Sequence, residues 1–292
     1  MTSNVAAVPL SAAGDTAPPP SAGKRRPRGR LRTVLLGLPV PILFLLVWQL
    51  GRQHAWELPF GIRMGFLPYP GDVAVSLVNY AFGTEDDAFS YGLWEDLPAS
   101  ALRVASGFGL ATLIAVPLGV LMGRFSTVHA LFDPIINLFR PVPATAWVPL
   151  VALLIGYGDQ ASIFLITLSA FFPIVLGTIS GARQVPERLL EAARMLGTTG
   201  LGTLLRVVLP AAAPSVVNGM RVGLGLAWVI LVLSETTGVP TGLGSTIFLA
   251  RDVVRTDLIV VGMICIAIAG FLSDRLLMLV FRVLFRDRPL IK

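Results

Sequence analysis

Charge is scarce in this sequence. Asp, Glu, Lys and Arg make up 14% of its 292 residues, where a soluble domain carries about 25%. With a mean hydropathy of +0.77, a soluble globular fold is excluded. Cysteine is almost absent: Cys265 stands alone inside the apolar run 260–269, so neither a disulfide nor a thiolate cluster can be assembled. The two histidines, His54 and His129, lie far apart and belong to no HExxH pattern, so no metal-ligand set is expected. Lysine occurs only as Lys24 and Lys292. A phosphate-binding Walker A loop needs Gly-Lys followed by Ser or Thr, and Lys24 is followed by Arg25. The chain therefore carries no Walker A sequence. It also shows no clustered His, Ser or metal constellation, and neither enzyme activity nor a bound cofactor is expected of it.

Long apolar runs are what the sequence does have. About 18 or more apolar residues mark a membrane-spanning helix, because ~20 residues at ~1.5 Å rise cross a ~30 Å hydrocarbon core. Six spans are predicted, at 34–50 and at about 98–123, 141–157, 160–181, 210–235 and 257–284. An all-α membrane protein follows. Pro141, Pro143 and Pro149 interrupt the third span, and proline breaks helical hydrogen bonding unless neighbouring helices repair it. Residues 1–23 are rich in Ala, Pro, Ser and Gly, too poor in apolar surface to offset the entropy of ordering. Together with Lys24, Arg25, Arg26, Arg28, Arg30 and Arg32 they predict a disordered basic tail over 1–33, ahead of a membrane domain over 34–292. A basic run before an apolar stretch also resembles a signal peptide. No small-residue cleavage site follows Leu50, so 34–50 reads as a retained span, with a cleaved signal as the weaker alternative.

The placement of charge sets an orientation. If the tail lies inside, all Lys and Arg except Arg52, Arg63, Arg103, Arg251 and Arg255 fall on the inner side. Most acidic residues fall on the other. The positive-inside rule then predicts a multi-pass membrane protein with both termini cytoplasmic, and the net charge of +6 calls for no nucleic-acid partner. The longest external connection, 52–97, holds Trp56, Phe60, Phe66, Tyr69, Tyr80, Phe82, Tyr91 and Trp94. Such aromatic density suits a segment lying in the membrane interface, with a receptor-docking surface as the alternative.

Residues 183–209 form a polar inner connection too long for a minimal turn. The stretch 187–194, ERLLEAAR, is made of strong helix formers and brings Glu187, Glu191 and Arg194 to one face. Thr198-Thr199-Gly200 interrupts it, and Leu201 to Leu209 predicts a second short helix ending at Pro210. On this reading alone the element is an amphipathic connector at the membrane surface.

Its spacing says more. Glu191-Ala192-Ala193, three residues, Gly197, nine residues, Val207, one residue and Leu209-Pro210 resembles the EAA signature of permeases in binding-protein-dependent ABC importers, departing only in Val207 for Ile. The stretches 66–73, 140–143, 148–150, 156–159 and 242–244 look like those of the nitrate, sulfonate and taurine importer branch. The resemblance implies a type I importer permease fold, with 183–209 as the coupling helix that docks on an ATP-binding subunit. It implies further partners: a periplasmic or lipid-anchored solute-binding protein, lipid, and a second permease copy. The solute implied is a small anion such as alkanesulfonate, taurine or nitrate, with ATP bound by the partner subunits. Under this reading Glu191 offers a carboxylate to the partner, Ala192 and Ala193 keep the helix surface low, and Gly197 permits the turn.

In the fifth span Asn218, Arg221, Gly225, Trp228, Val232 and Glu235 recur at steps of three or four, on one helical face. Asn218, Trp228 and Glu235 are the candidate pathway residues. Snorkelling of Arg221 and Glu235 toward opposite membrane surfaces is the competing explanation. Gly119/Gly123 and Gly219/Gly223 form GxxxG patterns and are expected to pack helices closely. A secondary carrier or an integral membrane enzyme is the reading from another class; the inverted repeats or catalytic clusters it needs are not found.

Overall fold

The computed structural model describes residues 38–236 and 238–284; the tail 1–33, the start of the first span, and Arg286, Arg288 and Lys292 lie outside the described residues. In chain order the helices are α1 (Pro39–Gln53), α2 (Pro70–Phe82), α3 (Leu93–Arg124), α4 (Ser126–Phe139), α5 (Val148–Leu154), α6 (Asp159–Arg183), α7 (Glu187–Met195), α8 (Leu201–Glu235), α9 (Leu243–Asp252) and α10 (Thr256–Leu284). A two-residue hairpin pairs Glu57–Leu58 with Ile62–Arg63. The chain divides into two units, Met1–Trp48 and Gln49–Lys292. In the first, residues 39–48 form apolar helix with Phe44 against Trp48. The second holds every other element.

Among the described residues four helices, α3, α6, α8 and α10, are long and apolar enough to cross a membrane. The third predicted span differs from its expectation. Its helical part starts at Ser126, where the sequence reading placed a connection, and α4 then meets a 3-10 turn (Ala144–Trp147) leading into α5 across an 82° bend. Pro141 and Pro143 fall in the gap, where a ring in place of an N–H denies the helix its continuation. The pair makes either a broken span or a re-entrant loop.

The second short helix expected to stop at Pro210 does not stop. Residues Leu204–Val208 take a π-helical turn and run straight on into Leu209–Glu235. Proline is tolerated in the first turn of a helix, and Leu209 bonds back five residues to Leu204. The wider turn thereby absorbs the place where a donor is missing.

The core lies where α6 runs between α3 and α8. Lipid is as apolar as leucine, so helices in it associate through close packing rather than by escape from water. The glycines serve that closeness: a methyl on Gly119 would meet Thr178 at 2.6 Å, one on Gly123 would meet Ala182 at 2.5 Å, and one on Gly177 would meet the Gly219 backbone at 2.8 Å. Both GxxxG patterns thus face α6. Around them Ala170, Ile174, Val175, Val208 and Ala212 are fully or almost fully buried.

Candidate functional site

At one end of the bundle stands α7. Leu190 (2% exposed) and Ala193 (5%) root it, with Leu190 joining Leu204 and Val208 in the core cluster. Glu187 in its first turn and Arg194 in its last suit the helix dipole; Glu187 reaches Arg194 at 3.4 Å and Arg124, at the end of α3, at 3.7 Å. The helix ends through Gly197, whose φ of +76° lies in the left-handed region, while Thr198 bonds the Ala193 carbonyl through its N–H (3.0 Å) and its hydroxyl (2.6 Å). A side chain at Gly197 would meet no neighbour, so the backbone twist alone calls for glycine.

The signature residues divide between two faces. Glu191 and Ala192 are exposed, whereas Ala193 turns into the bundle. Val207, Leu209 and Pro210 are half-buried in the π turn and the start of the helix that follows. Beside the exposed face, Met195 (88% exposed), Leu196 (84%), Leu201 and Leu205 show apolar side chains to the outside.

At the opposite end the bundle closes on a knot of charge. Glu235 is 1% exposed. Its Oε1 accepts from Ser100 (2.7 Å) and Arg103 (2.6 Å), and its Oε2 from the Gly244 N–H (2.7 Å). Arg103 also donates to the Thr241 carbonyl and to Asp159, both at 2.7 Å. Asp96 accepts from Tyr80 (2.6 Å), Thr246 (2.5 Å) and the Gly242 N–H (2.7 Å), and Ser100 accepts from the Leu243 N–H (2.9 Å). The first N–H groups of α9, which have no partner within a helix, are thus held by two carboxylates and a hydroxyl. Gly242 makes the approach possible: its φ is +148°, and a methyl there would stand 2.5 Å from the Glu235 carboxylate. Burial and the adjacent Asp96 carboxylate push the Tyr80 phenol well above its ordinary value, so it stays a donor.

The 52–97 connection is fastened to the same end. Arg255 pairs with Asp87 (2.7 Å) and Asp257 (2.9 Å), and Ser76 donates to Asp257. Its Trp56, Phe60, Phe66, Tyr91 and Trp94 remain exposed.

The candidate pathway residues do not share one environment. Asn218 is exposed on α8, in line with Val222, Gly225, Leu226 and Val229. Trp228 is 6% exposed and donates to Ser273 on α10 (3.0 Å), and Glu235 belongs to the knot. A 100° helical step explains the division: the six-residue stripe is wide enough to cross from the open side of α8 to its packed side. Arg221 lies near the middle of α8 and forms a two-pronged pair with Asp274 (2.7 and 3.1 Å) on the exposed side. Beyond Asn218, α8, α6 and the break after α4 enclose a cleft of about 440 Å³ that includes Arg140, Thr145, Ser169 and Leu226. An ionised group at mid-bilayer costs about 2.5–3.5 kcal/mol on insertion scales and normally faces protein or water. The Arg221–Asp274 pair gives each of these charges a protein partner.

Sequence reasoning did not single out Asp96, Ser100, Arg103 or Thr246 as site residues, and it read Arg140 only as part of a stretch resembling the importer branch. One signal for Arg103 was present, an arginine several residues inside an apolar run.

Known proteins resemble this chain in sequence and in fold. The family described as "Binding-protein-dependent transport system inner membrane component" matches residues 115–288. The taurine transport system permease protein TauC of Escherichia coli is 36% identical over 243 residues, 83% of this chain and 86% of that protein. The bicarbonate transport system permease protein CmpB of Synechococcus elongatus is 31% identical over 256 residues, 87% and 90% of the two chains. Among solved structures, the MetNI methionine ABC transporter in an inward-facing form is similar in fold, with a TM-score of 0.51 at 22% identity over 65% of this chain and 94% of that one.

Proposed function

From the premise that the chain belongs to the binding-protein-dependent transport system inner membrane components, we propose how this permease faces, what it carries and how it is driven. As an ABC importer permease it is a multi-pass membrane protein that works with ATPase subunits and a solute-binding protein, and it is a transport component rather than an enzyme. The α7 end faces the cytoplasm. Arg124, Arg183, Arg188, Arg194 and Arg206 gather there, while Asp96, Asp159, Glu235, Asp252 and Asp257 gather at the other end, as the positive-inside rule favours.

The solute is a small molecule with an oxoanion head, of the taurine, alkanesulfonate, nitrate or bicarbonate kind; permeases similar to this chain are named for taurine, aliphatic sulfonates and bicarbonate. Two copies of the chain face each other across the open side of α8. That pairing covers Asn218 and the Arg221–Asp274 pair with protein and water in place of lipid. Trp228 and Glu235 act from behind this face by fixing α8 against α10 and α3. ATP binds to the partner subunits, whose closure pushes on α7, and the push enters the core through Leu190 and Ala193.

The observation that carries this reading is the Glu191–Pro210 segment. It folds as a rooted helix capped at Gly197, with an apolar face beside it that no described residue covers. The test is to purify the full chain together with its ATPase and receptor and assay taurine and nitrate uptake in proteoliposomes. The ATPase is expected to copurify, and Gly197→Val, strained at φ +76°, is expected to cut uptake about tenfold or more while hydrolysis continues, a loss of about 1.4 kcal/mol in coupling. A chain that purifies without any ATP-hydrolysing subunit overturns the reading.

A further inference from the structure

Among the described residues, the cations within the spans differ in their partners: Arg275 lies over the Phe271 ring, 4.9 Å from its centre. Arg103 has Glu235 and Asp159, and Arg221 has Asp274. Arg140 makes no ion pair or side-chain hydrogen bond among the described residues, and it is exposed. It follows the last residue of α4, where the helix breaks, and Arg140–Pro143 are all exposed and non-helical. The wall opposite is built from Leu168 to Leu176 on α6, the central part of Asp159–Arg183, which sets the break at mid-span depth.

Two physical constraints apply to such a place. Irregular backbone at membrane depth leaves N–H and C=O groups without helical partners, and it is tolerated only inside protein or beside a water-filled cavity. Interrupted helices near the midplane are also where solute sites of transport proteins are recurrently built, because the free backbone groups and side chains there can bind. Here the break opens on the 440 Å³ cleft. Thr145 lines the cleft with its hydroxyl unpartnered among the described residues, and Ser169 stands across from it, donating to the Leu226 carbonyl at 3.3 Å. The rest of the lining is mostly apolar. A planar guanidinium with a hydroxyl beside it, in otherwise apolar walls, suits an oxygen-rich head of one negative charge.

We propose that the break at Arg140–Pro143 is an anion subsite of the translocation pathway, in which Arg140 and Thr145 receive the oxoanion head of the passing solute. It rests on the importer reading and deepens it: the anionic class of the solute is set in the membrane chain as well as by the receptor.

The test is the reactivity of a cysteine at Thr145 (Thr145→Cys, with the buried Cys265→Ser) in membranes holding the assembled transporter. The two reagents are the anionic sulfonatoethyl and the cationic trimethylammonioethyl methanethiosulfonates, each rate taken relative to a free thiol. The sulfonate reagent is expected to be favoured about fivefold, as a unit charge at short range in a partly hydrated site gives. Arg140→Gln is expected to bring the ratio near one, and Arg140→Lys to restore part of it. A thiol inert to both reagents overturns the proposal, since the face is then covered. A preference that survives Arg140→Gln overturns it as well. Val142→Cys on the same rim serves if Thr145→Cys does not accumulate. Failure of the importer reading appears separately, as loss of the copurifying ATPase, which the labelling ratio does not measure.

Discussion

At one end of the bundle Asp96, Ser100, Arg103 and Glu235 satisfy one another and the backbone of α9, while at the other end α7 leaves Met195 and Leu196 almost fully exposed beside Glu191. The two ends use opposite strategies with the same kinds of residue. Where polar groups are buried and saturated, removing one leaves its partners stranded, so the role is to hold structure. Where apolar groups are bare on a rooted, charge-capped helix, the arrangement suits the docking proposed above.

Breaking the buried end first should give the largest effect. Glu235→Ala takes one carboxylate from Arg103, leaving it Asp159 and the Thr241 carbonyl, and strands the Ser100 hydroxyl and the Gly244 N–H in a buried site. The expected loss is about 3 kcal/mol, measured as thermal unfolding of the purified chain in detergent. A loss under about 1 kcal/mol would mean that water reaches the knot and that the contrast between the ends is false.

The exposed end should answer differently. Met195→Glu with Leu196→Glu is expected to leave stability within about 0.5 kcal/mol, as surface changes do, yet to weaken ATPase attachment by about 2 kcal/mol or more, as for a central interface contact. Titrating the copurified ATPase against the chain checks this. Equal attachment would show that α7 docks through another face.

The smallest effect belongs to the rim of the knot. Tyr80→Phe removes one of three donors to Asp96 and should cost about 1 kcal/mol at neutral pH. Burial and Asp96 raise the native phenol's pKa, so the folded form keeps a proton that the unfolded form releases near pH 10. The native chain should hold this contribution below about pH 10 and lose it as pH rises further. Unfolding scans from pH 8 to pH 11 should show that decline in the native chain and a flatter profile in Tyr80→Phe.

The sequence made the two ends legible to different degrees. Spans α3, α6, α8 and α10 declare themselves as long apolar runs, and the α7 segment through its fixed spacing of Glu191, Gly197 and Pro210. Helix α4 does not, because His129, Asp133 and Asn137 interrupt its apolar pattern, and Asp133 bonds Asn137 within the helix. The knot was hidden for a different reason. Arg103 and Glu235 are 132 positions apart, and Asp96 and Gly242 are 146 apart, so no local pattern joins them. Charge counting assigned Arg103 to a membrane surface when it serves the interior. Glu235 and Trp228 share a helical stripe with Asn218, but which part of a stripe is covered depends on neighbours the stripe does not name.

The knot also fixes where the molecule can yield. Parting α3 from α8 at that end means pulling charged groups from their bonds. Toward the far end, by contrast, each of them packs on α6 through small residues, Gly119 and Gly123 against Thr178 and Ala182, and Ala212 and Ser215 against Gly181. A pair of tongs riveted at the top spreads at its tips, and in this fold the tips are where α7 sits.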